Sequence, residues 1–194
     1  FIASTDRETT GQLFTMKEYI DVLIPRGGSS LIQTVVKQAT VPVLETGVGN
    51  CHIYIDSEAD VNKAMPILVN AKTDRPAVCN AAETVLIHKD WLLKHKDALI
   101  NTIQEHTITV HGDEHTLKVI PNAIPAGEED WANEYLSLHI AMKIVEDVHE
   151  AIDHIEQYGT KHSEAIVTEN QKTADVFMKL VDASSLYHNA STRF

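Results

Sequence analysis

A chain of 194 residues with 43% hydrophobic and 23% charged residues has ordinary globular composition, enough for one good-sized domain or one domain plus part of another. Its formal charge of -12 argues against nucleic-acid binding, because a phosphate backbone demands basic surface, yet a local cationic cluster still suits a small anion. No apolar run approaches the ~18 residues of a membrane helix, Phe1–Arg7 does not read as a signal peptide, and two cysteines, Cys51 and Cys79, make no disulfide framework, so a cytoplasmic location is expected.

In chain order, residues 7–20 predict a short helix and Asp21-Val22-Leu23-Ile24-Pro25 a buried strand stopped by proline. Arg26-Gly27-Gly28-Ser29-Ser30 then leads into a helix over 31–39. Strand, glycine turn and helix is the geometry that receives an anion on a helix N-terminus, but the segment is neither G-x-G-x-x-G nor a Walker loop, and a plain βα turn explains it as well. Val41-Pro42-Val43-Leu44 predicts a second strand, running into the glycine-rich bend Glu45–Asn50, and 51–56 a third. Asp56 or Ser57 is placed to cap a helix whose apolar residues, Val61, Ala64, Met65 and Leu68, keep helical spacing to Val69.

The stretch 70–80 follows, then a strand at 83–87 and a helix at 90–105 with Leu92, Leu93, Ala98, Leu99 and Ile103 on its apolar face. Residues 107–110 predict a strand, 112–130 largely loop, 131–135 a helical turn, 138–145 a long strand, and 146–157 a helix closed near Gly159. A strand at 165–167, a helix at 170–180 and a strand at 185–189 complete the alternation, which defines an α/β class. The best boundary falls near residues 50–57, where the glycine-rich bend gives way to the capped helix.

The chemistry is expected in Asn70-Ala71-Lys72-Thr73-Asp74-Arg75-Pro76-Ala77-Val78-Cys79-Asn80, on a connection between rigid elements. A cysteine is useful to an enzyme as thiolate, a form that nearby Lys or Arg charge favours. A lone cysteine is otherwise most often buried and inert. Eleven histidines invite a metal, but His111 and His115 flank Gly-Asp-Glu in a loop, without the helical H-E-x-x-H arrangement, and no metal is expected. Asn189-Ala190-Ser191 matches a glycosylation acceptor and is accidental in a cytosolic protein.

Blocks spread along the whole chain resemble the gamma-glutamyl phosphate reductase family, part of the aldehyde dehydrogenase superfamily. They are Ile24–Gly28, Gly47–Asp56, Asn70-Ala71-Lys72 with Arg75–Asn80, Glu134–Leu138, Gly159–Ile166 and Asn189–Phe194. The resemblance implies an aldehyde dehydrogenase-like catalytic (thiol) domain over 51–194, preceded at 1–50 by the last part of a Rossmann-like nucleotide-binding domain. Because family members are longer, the chain is expected to be part of a longer protein. It implies NADPH-dependent reduction of gamma-glutamyl phosphate to glutamate 5-semialdehyde in proline synthesis, with Cys79 as nucleophile and Asn80 as an orienting residue. It further implies a homo-oligomer at full length and glutamate kinase as a partner. Glu134, from the Glu-Tyr-Leu-Ser-Leu block, is expected near the nicotinamide ribose, and Gly47 and Gly49 with the cofactor.

Lys72 and Arg75 are read from their charge as the cations for a dianionic leaving group. Glu45 stands at the spacing of the general base in oxidising aldehyde dehydrogenases, which keeps an oxidising enzyme as an alternative; a non-catalytic isolated domain is another. The roles of His52, His139 and His162, all inside family blocks, are not legible.

Overall fold

The computed structural model describes residues 1–44 and 49–193 and divides into two compact units, 1–48 and 49–194. In the first, Asp6 caps helix α1 (Arg7–Leu13) by accepting the Glu8 N–H, and α2 (Ser29–Gln38) follows Gly28. Phe14, Ile32, Val35 and Val41 are buried in it, and the Phe14 carbonyl accepts the N–H groups of Thr40 and Val41. The strands expected at 21–25 and 41–44 reduce to one parallel bridge between Leu23 and Val43. Pro25 and Pro42 have no N–H to give a ladder, and Val22, Ile24 and Leu44 are exposed.

The second unit is built on seven parallel strands in the order β4-β3-β5-β2-β1-β6-β7. These are β1 (Cys51–Ile55), β2 (Ala82–His88), β3 (Thr109–Gly112), β4 (Ile124–Pro125), β5 (His139–Val145), β6 (Ser163–Val167) and β7 (Ser185–His188). Every residue of β1, β2 and β6 is buried, as befits strands covered on both faces. The faces separate by strict alternation. Ile53, Ile55, Val85, Ile87, Ala165 and Val167 pack against α3 (Val61–Thr73) and α4 (Lys89–Glu105), whereas Tyr54, Leu86 and Ile166 pack against α6 (Val148–Tyr158) and α7 (Gln171–Leu180).

Several local details differ from expectation. The cap of α3 is Asp60, which accepts the Asn62 N–H at 2.9 Å; Asp56 instead accepts the hydroxyls of Tyr54 and Thr168. Helix α3 also runs on past Pro66 to Thr73, so Asn70, Ala71 and Lys72 form its last turn rather than a loop. Residues 112–130 hold a short helix α5 (Glu114–Leu117), strand β4 and the start of a 3-10 turn, Glu128–Ala132. Gly159 does cap α6, but in extended rather than left-handed backbone; a Cβ there would meet the Ile155 carbonyl oxygen at 2.5 Å.

His154 on α6 is 4% exposed, between Trp131 and His52 with ring centroids 5.4 and 5.6 Å away. Burial, then the neighbouring His52 and Lys143, push its pKa down to about 3. The folded value lies below the ordinary one near 6.5, so the unfolded chain takes up this proton first. Stability contributed above pH 6.5 is therefore lost as pH falls toward 3, at up to about 1.4 kcal/mol per pH unit. His154→Phe, which cannot protonate, is expected to gain on the wild type in urea midpoint as pH drops from 6.5 to 4. Equal acid sensitivity of the two would show that His154 is not the group responsible.

Candidate functional site

The thiol loop, residues 74–81, joins the end of α3 to the start of β2. It is a tight path, with the Val78 N–H on the Arg75 carbonyl at 3.3 Å and the Ala81 N–H on the Val78 carbonyl at 3.0 Å. Cys79 is exposed, while the other cysteine, Cys51, is buried. Burial, followed by the charge of Glu164, pushes the Cys51 thiol up, so it stays protonated and donates to the Cys79 carbonyl at 3.3 Å. The backbone of Cys79 is thus held through its carbonyl while the residue stays exposed. Among the described residues, the Cys79 N–H donates no hydrogen bond.

Gly49 lies against the same backbone. A Cβ placed on it would fall 1.5 Å from the Cys79 carbonyl oxygen, so only glycine admits this approach. Its N–H donates to Glu134 Oε1 at 3.0 Å. Cys79, Gly49 and Glu134, from three separate parts of the sequence, therefore meet at the amino-terminal edge of the sheet. Because the Gly49 amide is engaged with Glu134, Gly49 would serve a cofactor by holding that carboxylate. Gly47 and Glu45 lie outside the described residues.

The remaining expected residues divide. Asn80 is 6% exposed, and its Oδ1 accepts from the Arg193 guanidinium, which also pairs with Asp74 Oδ2 at 3.1 Å. Asn80 and Arg193 brace the two ends of the thiol loop; Arg193 as a partner of this loop was not found from sequence, 113 residues away from Asn80. Arg75 is exposed and makes no ion pair among the described residues. Lys72 needs correction as a phosphate-binding cation. It is fully buried, with Nζ 2.6 Å from Glu83 Oε2, and burial lowers its pKa despite that partner.

The histidines of the family blocks are structural partners here. His52 Nδ1 lies 3.1 Å from Glu164, whose Oε2 also accepts the His52 N–H at 2.6 Å. His139 meets His111 at 2.9 Å, and His162 meets Ser163 at 2.9 Å. A further contributor went unremarked in the sequence. Asn50 is fully buried, and its Nδ2 donates to the carbonyls of Trp131 and Tyr158 at 2.8 and 2.9 Å, tying the turn ahead of Glu134 to β1 and α6. Among the described residues, no group of three His, Cys, Asp or Glu side chains is arranged to hold a metal, and no helix is long and apolar enough to cross a membrane.

With this geometry in hand, comparison with known proteins is informative. No family model matches the chain. Over 194 residues it is 66% identical to gamma-glutamyl phosphate reductase 2 of Bacillus licheniformis, covering all of this chain and 46% of that relative. The crystal structure of gamma-glutamyl phosphate reductase from Thermotoga maritima superposes with a TM-score of 0.96 at 48% identity, covering 100% of this chain and 47% of that one. An acetylating aldehyde dehydrogenase from Geobacillus thermoglucosidasius shares the fold at 20% identity, with a TM-score of 0.74 over 100% of this chain and 51% of its own. The fold is therefore aldehyde dehydrogenase-like, and the chain spans about half the length of the curated relatives it matches.

Proposed function

We propose that this chain, similar from end to end to gamma-glutamyl phosphate reductases, is the thiol-bearing part of such an enzyme and acts in proline synthesis. The observation that carries the reading is an exposed Cys79 whose backbone is locked by Gly49 and Cys51, with the Glu134 carboxylate held by the amide of that same Gly49. In the first half-reaction the Cys79 thiolate attacks the acyl carbon of gamma-glutamyl phosphate. A C–S bond forms, the bond from acyl carbon to phosphate oxygen breaks, and inorganic phosphate leaves with the electron pair. The Cys79 N–H receives the developing oxyanion, a contact of the kind worth a few kcal/mol. Arg75 meets the leaving dianion. Splitting the reaction through a thioester replaces one difficult step by two easier ones.

The cofactor class is a nicotinamide, NADPH in our assignment, and it supplies hydride to the acyl group when bound. Glu134 suits its ribose. One carboxylate oxygen is held by the Gly49 amide, while Oε2 accepts no hydrogen bond among the described residues and is open to a hydroxyl donor. We also assign the full-length protein to the cytoplasm, as a homo-oligomer receiving its unstable acyl phosphate from a glutamate kinase.

The deciding test runs the reaction backwards with the full-length protein, glutamate 5-semialdehyde and NADP. NADPH formation that requires added phosphate is expected, because phosphate must cleave the thioester. Phosphate-independent formation of glutamate would instead identify an oxidising dehydrogenase and overturn the proposal.

A further inference from the structure

The buried pair Lys72–Glu83 occupies a particular place. Lys72 closes the last turn of α3 and Glu83 opens β2, so the pair bridges the two ends of the thiol loop across 11 residues. Both side chains are 0% exposed. Two charges removed from water need good geometry to be tolerated, and replacing such a pair by apolar residues is often neutral or stabilising. Stability alone therefore explains its presence poorly.

The second carboxylate oxygen shows what else it does. Glu83 Oε1 accepts the Leu136 N–H at 3.3 Å, and Leu136 sits at φ 54°, a left-handed conformation uncommon for a leucine. That turn directly follows Glu134, whose charge also acts on the Lys72 ammonium. Glu83 is thus the junction between the loop that carries the thiol and the turn that carries the cofactor-facing carboxylate. We infer that Lys72 and Glu83 are positioning residues, a clasp that closes the thiol loop and docks the Glu134 turn onto it. Sulfur and cofactor carboxylate are thereby set against each other by a single buried ion pair. The inference rests on the proposed function for its catalytic consequence, but not for its geometry.

The test uses Lys72→Met/Glu83→Leu, which keeps volume and removes both charges, and Lys72→Met/Glu83→Gln, which keeps an acceptor for the Leu136 N–H. In the charge-free pair, amides of 74–81 and 133–138 are expected to exchange together about tenfold faster or more, at an unchanged thermal midpoint and with β1 and β6 unaffected. In the full-length enzyme kcat is expected to fall about 100-fold, as for a misplaced reacting group, with KM for the acyl phosphate little changed. The glutamine variant is expected to restore protection at 133–138 and not at 74–81.

A folded Lys72→Met/Glu83→Leu protein with wild-type exchange in both segments and wild-type kcat would overturn the clasp. So would failure of both variants to fold, which would make the pair a requirement of the core. Absence of reductase activity in the wild type would instead sink the proposed function and leave the exchange result to judge the clasp.

Discussion

Exchanging Cys79 for serine is expected to abolish reduction of gamma-glutamyl phosphate by the full-length enzyme, with a loss on the order of 10^4-fold or more. The reason is local. A serine hydroxyl is a poor nucleophile unless a base takes its proton, and neither Gly49 nor the protonated thiol of Cys51, which hold this backbone, is one. Because Cys79 is exposed and its anchoring runs through the main chain, the variant should fold and melt like the wild type. Steady-state rates together with mass spectrometry of the acyl-enzyme check both halves. An enzyme that turned over at full speed with serine would have no thioester, and the chemistry assigned to this loop would be wrong.

The second large effect is expected from Gly49→Ala, the addition of one methyl group. Its carbon would lie 1.5 Å from the Cys79 carbonyl oxygen and 2.6 Å from the Cys79 Cα. Both are backbone atoms, so no side-chain rotation relieves the clash, and either β1 or the thiol loop must move. The cost should reach or exceed the upper end of the about 1–3 kcal/mol typical of overpacking. Displacement also breaks the amide contact to Glu134. Denaturation midpoints and the labelling rate of Cys79 would register the two consequences separately. A midpoint within about 0.5 kcal/mol of wild type, the range of an innocuous surface change, would mean that the approach is looser than described.

These residues also show what a sequence can and cannot reveal. Strand β1 was legible from the alternation along 51–56, β2 from its β-branched and apolar residues through Ile87, and α3 because Val61, Ala64, Met65 and Leu68 keep a helical period. Where that helix stops was not legible. Ala71 and Lys72 continue its buried face, but a lysine counts as polar in any periodic pattern, and its burial makes sense only once Glu83 is seen beside it. The thiol loop itself could be located from Cys79 and its neighbours. Its supports could not, since Gly49, Arg193 and Glu134 are joined to it only by tertiary geometry. Composition carries no trace of a hydrogen bond spanning 113 residues. The strands expected at 21–25 and 41–44 failed for the converse reason, because their apolar and β-branched residues satisfy a strand pattern while Pro25 and Pro42 themselves lack the donors that a ladder requires.

The position of β2 has a mechanical consequence. It is flanked by β1 and β5 and buried along its whole length, so its amides can open only when the sheet comes apart. The exposed Cys79, the nucleophile of our proposal, stands just upstream of that strand. A sulfur proposed to accept, carry and release an acyl group is therefore mounted beside a central, fully buried strand, and recoil during the proposed turnover would fall on the short link from Asp74 to Ala81.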